Sequence, residues 1–203
     1  MKHPLLKLVA GSALILGVLA PAASGVEEAK YTVVQQEGAL ELRAYAPALQ
    51  AEVTVNAPRE QAGSQAFNRL FRYISGANQR RQEIAMTAPV GQEIPMTAPV
   101  GQSPTPEGWT VSFMLPDGFS LENAPVPSDP QVRLRALPAR QVASIRYAGG
   151  DEEKTYQEHL KALQDWVARQ GWKPAGELIW ARYNPPFTPP FWRRNEILMP
   201  LEP

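Results

Sequence analysis

Few residues in this sequence can do chemistry, and their types narrow what that chemistry is. There are two histidines, His3 and His159, and no cysteine. A thiolate zinc site, a cysteine nucleophile, a disulfide framework and a lipid-bearing cysteine are thereby excluded. No HExxH, Gly-Lys-Ser/Thr phosphate loop, GxGxxG or GxSxG occurs. A Ser-His-Asp triad would have to use His159, which lies in a helical pattern beside Glu158 with no nucleophile elbow elsewhere. A zinc site needs three or four ligands, and a single usable histidine does not supply them. What remains is softer chemistry. His159 can be a half-exposed boundary residue or an axial ligand to a haem iron. Met86 and Met96 can fill core or offer a thioether to the same metal. Arg69, Arg72, Arg193 and Arg194 can be solvated charge or can pair with carboxylates.

The segment Tyr183 to Arg194 concentrates four aromatics and four prolines in one connection. Each proline fixes φ, so such a loop is stiff. Phe187, Phe191 and Trp192 then either close the core as a lid or wall a pocket for a flat ligand.

The elements that must position these groups repeat once. Tyr31 to Gln36 reads as a strand and Gly38 as a turn. Leu40 to Val55 keeps a period of two and reads as one long strand bent near Pro47. Pro58 and Glu60 suit a helix start. Phe67, Leu70, Phe71 and Ile74 share one helical face, and Gly76 and Asn78 end it. In the second half, residues 132–137 and 141–147 read as a strand pair around Pro138, and Gly149-Gly150 breaks it. Asp151, Glu152 and Glu153 open a helix whose apolar face is Tyr156, Leu160, Leu163 and Val167, with His159 at its edge. Gly171 closes it, and strands over 177–183 and 195–201 follow. Strand pair, helix, strand pair, twice over, predicts an α+β domain with a pseudo-two-fold repeat. It has two helices packed on a curved antiparallel sheet or barrel. Residues 116–130, rich in Pro, Asp, Ser and Asn, connect the halves. A literal ten-residue repeat, 83–92 and 93–102, matches at nine positions and predicts two strands joined by a turn at Gly91-Gln92.

The 203 residues carry 20 basic and 20 acidic side chains, 21 prolines and 44% hydrophobic residues. That length suits one domain with its own core. Zero formal charge without runs of one sign speaks against nucleic acid as a partner. At the start, Lys2 and Lys7 precede the 13-residue apolar run Leu8 to Ala20, and Ala20-Pro21-Ala22 supplies small residues. This is the layout of a cleavable signal peptide over residues 1–25. Thirteen residues cover only about 20 Å as a helix, short of a bilayer core of roughly 30 Å. Export, cleavage between Ala22 and Gly25, a periplasmic destination and no stable membrane insertion afterwards are the expectations. Residues 26–203 then form a single domain.

Five ordered motifs resemble those of the SOUL haem-binding protein family. They are Glu41-Leu42-Arg43-Ala44-Tyr45, Tyr73-Ile74-Ser75-Gly76-Ala77-Asn78, Met-Thr-Ala-Pro-Val at 86–90 and again at 96–100, Phe113-Met114-Leu115-Pro116, and Arg193-Arg194-Asn195-Glu196-Ile197. The resemblance spans about residues 31–201. It implies a distorted antiparallel β-barrel with two helices. It also implies a haem or related tetrapyrrole, bound neither tightly nor covalently, at a shallow apolar site. That site would lie between the outer side of residues 59–75 and the loop 184–193. Where histidine ligation is proposed in this family the position precedes the first helix, and this sequence has no histidine there. The implied protein is non-catalytic and holds its ligand by apolar contact and by Arg–propionate pairs from Arg69, Arg72 or Arg193. Two rivals are a module for another small apolar ligand, similar to effector-binding domains, and a haem-modifying enzyme using Glu37, Glu41 or Glu83.

Overall fold

The computed structural model describes residues 27–56, 59–88, 90–94, 109–150, 152–185 and 187–203. The expected signal peptide, Pro58, Asp151, Met96 and the second Met-Thr-Ala-Pro-Val lie outside the described residues. In chain order the elements are β1 (Glu27–Glu28), β2 (Tyr31–Glu37), β3 (Leu40–Tyr45), β4 (Ala48–Val55), α1 (Arg59–Ile74), β5 (Thr87–Ala88), β6 (Val90–Ile94), β7 (Trp109–Met114), β8 (Arg133–Leu137), β9 (Arg140–Ala148), α2 (Glu153–Gln170), β10 (Leu178–Arg182), a 3-10 turn (Pro190–Trp192) and β11 (Arg194–Pro200).

Nine strands form one antiparallel sheet in the order β2-β3-β9-β11-β10-β6-β7-β4-β8. Among the described residues the sheet is open: β2 and β8 are its edges, and the expected barrel does not close. The two-fold repeat is present in another form. Exchanging β3 with β8, β4 with β9, β6 with β10, β7 with β11 and α1 with α2 maps the strand order onto itself, with β2 added at one edge. The strands on either side of Pro138 do not pair with each other. β8 pairs with β4, while β9 pairs with β3 and β11. Likewise the expected long strand is two strands, parted at Ala46-Pro47, that go to different neighbours. Proline lacks the N–H that would continue a ladder, so the break falls there.

The turn expected at Gly91-Gln92 is also absent. β6 runs straight through it, with Gly91 opposite Ala181 on one side and Ser112 on the other. A Cβ at Gly91 would lie 3.0 Å from Ser112 Oγ and 3.3 Å from Ile179 Cγ2, so the glycine serves close strand packing rather than a turn.

Each helix covers its own part of the sheet. α1 packs on β4 and β7, burying Ala66, Leu70, Tyr73 and Ile74 over Val53, Val111 and Phe113. Phe71, expected on that face, is 46% exposed and stacks on Phe67 with centroids 6.0 Å apart. α2 packs on β9 and β11 through the expected Tyr156, Leu160, Leu163 and Val167, joined by fully buried Trp166. The Trp166 indole donates to Glu37 Oε2 at 2.8 Å, and Arg169 donates to Glu37 Oε1 at 3.0 Å. α2 thereby holds the β2–β3 hairpin at its turn. Gly171, at φ 73°, caps the helix in the left-handed region where a side chain is disfavoured. Among the described residues no helix is long and apolar enough to cross a membrane.

Candidate ligand-binding site

The proline-rich connection between β10 and β11 is shaped by its own backbone. Asn184 Oδ1 accepts from the Arg194 N–H at 2.6 Å, and the Thr188 N–H donates to Pro185 O at 3.0 Å. Trp192 and Arg193 N–H donate to Pro189 O and Pro190 O, closing the 3-10 turn. The Arg193 Nε–H reaches back to Thr188 O at 2.7 Å. The Gly149 N–H donates to Pro190 O at 3.1 Å and ties the loop to the end of β9. None of the three rings enters the core. Phe187 is 87%, Phe191 68% and Trp192 71% exposed, and the last two meet edge to face at 5.0 Å. Of the two sequence alternatives, a lid on the core is the one this exposure disfavours.

Beside the loop lies an open cleft of about 550 Å³, within the ~300–1,000 Å³ typical of small-molecule sites. Its walls are the β2–β3 turn (Gln36, Gly38, Ala39, Glu41), the end of β9 (Arg146, Tyr147, Ala148) and Phe191 to Arg194. Three arginines face one glutamate there.

The floor beneath is a buried ionic cluster. Glu196, fully buried, accepts from Arg43 Nη1 at 2.5 Å and Nη2 at 3.2 Å, from Arg194 Nε at 3.0 Å and from the Tyr183 hydroxyl at 2.8 Å. Arg43 also donates to Glu41 at 2.7 Å, and Arg194 to both oxygens of Glu28 at 3.0 and 3.1 Å. The guanidinium carbons of Arg43 and Arg194 lie 4.3 and 3.7 Å from the ring centroids of Tyr31 and Tyr183. Burial alone would push the Glu196 carboxyl up. The hydrogen bond from Arg43 and the charges of Arg43 and Arg194 more than offset this and hold it below its ordinary 4.5. Burial first, then the Glu196 charge, drives the Tyr183 phenol well above its ordinary value, so it stays a donor. Burial likewise pushes Tyr45 up to about 12.

Two of the motifs thus meet in space. Arg43 of Glu-Leu-Arg-x-Tyr and Glu196 of Arg-Asn-Glu-Ile, 153 positions apart, are one buried pair. A third motif is a clasp. The Asn78 side chain donates to Tyr73 O and Gln82 O and accepts from the Gln82 N–H, while the Tyr73 hydroxyl donates to Pro125 O. In the fourth, the Thr87 hydroxyl donates to Met114 O. These residues hold the backbone together rather than face a cleft.

The other sequence candidates are scattered. Arg69 pairs with Asp129 at 2.8 Å. A hydrogen bond from the Gln131 N–H, then one from Arg69, holds the Asp129 carboxyl down. Arg72 is exposed on α1, whose strand contacts are β4 and β7, whereas the 3-10 turn contacts β9. The lining of the cleft includes neither Arg69 nor Arg72. Arg193 does line it, with Phe191 and Trp192. His159 is half-buried; its Nδ1 lies 2.7 Å from Thr155 O and its ring stacks on Tyr147 at 4.3 Å. Met86 is 39% exposed just before β5. Glu37 and Glu41 are engaged with Trp166, Arg169 and Arg43. Among the described residues no group of three or more His, Asp or Glu is placed to hold a metal ion. Exposed rings that can stack and arginines that can meet carboxylates are the residue types a planar tetrapyrrole needs. Sequence reasoning missed Arg146 and the β2–β3 turn. The available signal was an arginine set between Ile145 and Tyr147 in β9.

Fold and site together define an α+β protein of two helices on one large antiparallel sheet, with a surface cleft sized for a small molecule. The chain belongs to the SOUL heme-binding protein family, whose model matches residues 26–200. It is similar to heme-binding protein 1 of Mus musculus, 27% identical over 147 residues that cover 72% of this chain and 74% of the relative. The Sus scrofa protein of the same name is 26% identical over 142 residues, covering 69% and 71%. Among solved structures, the EcmrR C-terminal domain superposes with a TM-score of 0.59 at 12% identity, covering 80% of this chain and 96% of that one. A hydrolase from Listeria innocua gives 0.58 at 10% identity, covering 80% and 91%. At such identities these two likenesses show the fold alone.

Proposed function

We propose that this chain is an exported, non-catalytic binding protein for haem or a related tetrapyrrole. The ligand is held without a covalent bond, by apolar contact with the 184–193 loop and by arginine–carboxylate pairs. Membership of a heme-binding family supports the ligand class. The observation that carries the site is the exposure of Phe187, Phe191 and Trp192 on one proline-stiffened loop beside the cleft. A loop already rigid loses little freedom on docking, and its ring faces can stack on a macrocycle. Export is supported by the basic start, the short apolar run and the small residues at 20–25. The mature chain would then begin between Ala23 and Val26, near where the family match starts.

Titration of the mature protein with haemin, followed by Soret absorbance and tryptophan quenching, tests the ligand. Saturable binding at one site per chain is expected; an unperturbed haemin spectrum at all ratios refutes the reading. Mass spectrometry of the protein from its host tests export. An intact Met1 in a cytosolic fraction would defeat it.

A further inference from the structure

The cleft holds a cation that no carboxylate of the described residues neutralises. Arg194 is committed to Glu28 and Glu196, and Arg193 donates to Thr188 O. Glu41, the one acid in the lining, accepts from Arg43. Arg146 differs. In β9 it falls between Ile145 and Tyr147, both of which pack toward α2, so alternation puts it on the opposite face with the cleft. Its backbone N–H donates to Ala39 O at 3.0 Å and fixes it against the β2–β3 turn. Its side chain is exposed, and among the described residues it has no ion pair. Its cross-strand neighbour, Glu196, is already satisfied by Arg43, Arg194 and Tyr183. The guanidinium is therefore available to something outside the chain. The wall opposite is low: Gly38 turns at φ 61°, and a Cβ there would meet nothing within 4 Å. On the other side stand the exposed Phe191 and Trp192.

We infer that this cleft binds the acidic edge of a planar aromatic ligand, with Arg146 as the residue that takes its carboxylate while the ring system lies on Trp192 and Phe191. A guanidinium can meet a carboxylate with two parallel N–H···O bonds, which an ester cannot reproduce. The inference rests on the tetrapyrrole reading and narrows it. The ligand enters as a free acid, acid group toward the β2–β3 turn, and the cleft rather than α1 supplies the cation.

Protoporphyrin IX and its dimethyl ester share a ring system and differ in the acidic groups, so their affinities are compared by tryptophan quenching on the mature protein and on Arg146→Gln. The wild-type protein is expected to bind the free acid at least tenfold more tightly than the diester. Arg146→Gln should bind the acid about tenfold more weakly, roughly 1.4 kcal/mol, and the diester as the wild type does. Arg146→Lys keeps a charge without the two-pronged geometry and should fall between the two. It also carries the comparison if the glutamine variant melts early. A wild-type protein that binds both porphyrins equally, or an acid preference that survives in both variants, overturns the assignment to Arg146 and leaves the tetrapyrrole reading standing. Failure of the wild type to bind either porphyrin overturns both.

Discussion

Glu196 is a carboxylate that two guanidiniums and a phenol surround at 2.5–3.2 Å with no access to water. Its depressed pKa makes it a source of acid sensitivity. Its contribution is complete above the ordinary carboxylate value of 4.5 and is lost as pH falls through the lower folded value. Glu196→Gln leaves Arg43 and Arg194 facing a neutral amide in a buried site. Removing one partner of a buried pair costs about 3–5 kcal/mol, and urea unfolding at pH 7 should show a loss of that order. The gap between variant and wild type should shrink below pH 4.5. A gap that widens on acidification would contradict the assignment. At this scale the sequence was legible only through the motifs. Arg43 and Glu196 stand in motifs that resemble those of the family, and nothing in their spacing shows that they touch, because a contact 153 positions apart depends on the strand order. Phe71 shows the complementary limit. Its helical spacing placed it inward, but helix packing leaves it nearly half exposed at the margin of the face.

At the scale of elements, the proline-rich loop and the β2–β3 hairpin form the two sides of the cleft. The loop can be tested apart from the core. Replacing Phe187 and Phe191 together with serine removes two largely exposed rings. Surface changes are usually within ±0.5 kcal/mol, so the melting temperature should fall by no more than about 2–4 °C. Haemin affinity should drop at least tenfold. Unchanged affinity would remove the loop from the site, and a melting temperature lowered by ten degrees or more would make the loop a core lid after all. Most element bounds were legible from periodicity, proline and glycine. Two were misjudged for the same reason. Local habit alone makes Pro47 a bend and Gly91 a turn, whereas their roles come from neighbouring strands. Pro47 stands where the chain leaves one part of the sheet for another. Gly91 lies where Ser112 and Ile179 leave no room for a Cβ. Only the loop's side of the cleft was legible, because the β2–β3 turn and the end of β9 join it only through the fold.

At the scale of the whole molecule, the repeat was legible as an order of elements but not as a pairing scheme. Each half supplies a strand to the other: β3 lies against β9 and β8 against β4, and β10 joins β6 across the middle. Sequential strands usually pair, which is why the strands around Pro138 were expected to lie together. Three of the eight ladders in the large sheet, β3 with β9, β4 with β8 and β6 with β10, join the two halves. The exchange also places the two helix-covered cores on one continuous sheet instead of in two separate domains.

That exchange has a consequence for cutting the chain. The exposed connection at Leu121-Glu122 separates β1 to β7 with α1 from β8 to β11 with α2. Expressed as two polypeptides, neither piece would own a complete sheet, and each would present open strand edges that the other matches in register. The pieces should be poorly folded alone and should assemble on mixing into a one-to-one complex with the circular dichroism of the intact protein. Two pieces that fold independently and ignore each other would show that the ladders between halves are dispensable. Because the cleft draws on β2–β3 from one piece and on β9 and the aromatic loop from the other, porphyrin capture would occur only after the pieces meet. The protein would then work as a two-part logical gate, with a chromophore reporting that both inputs are present.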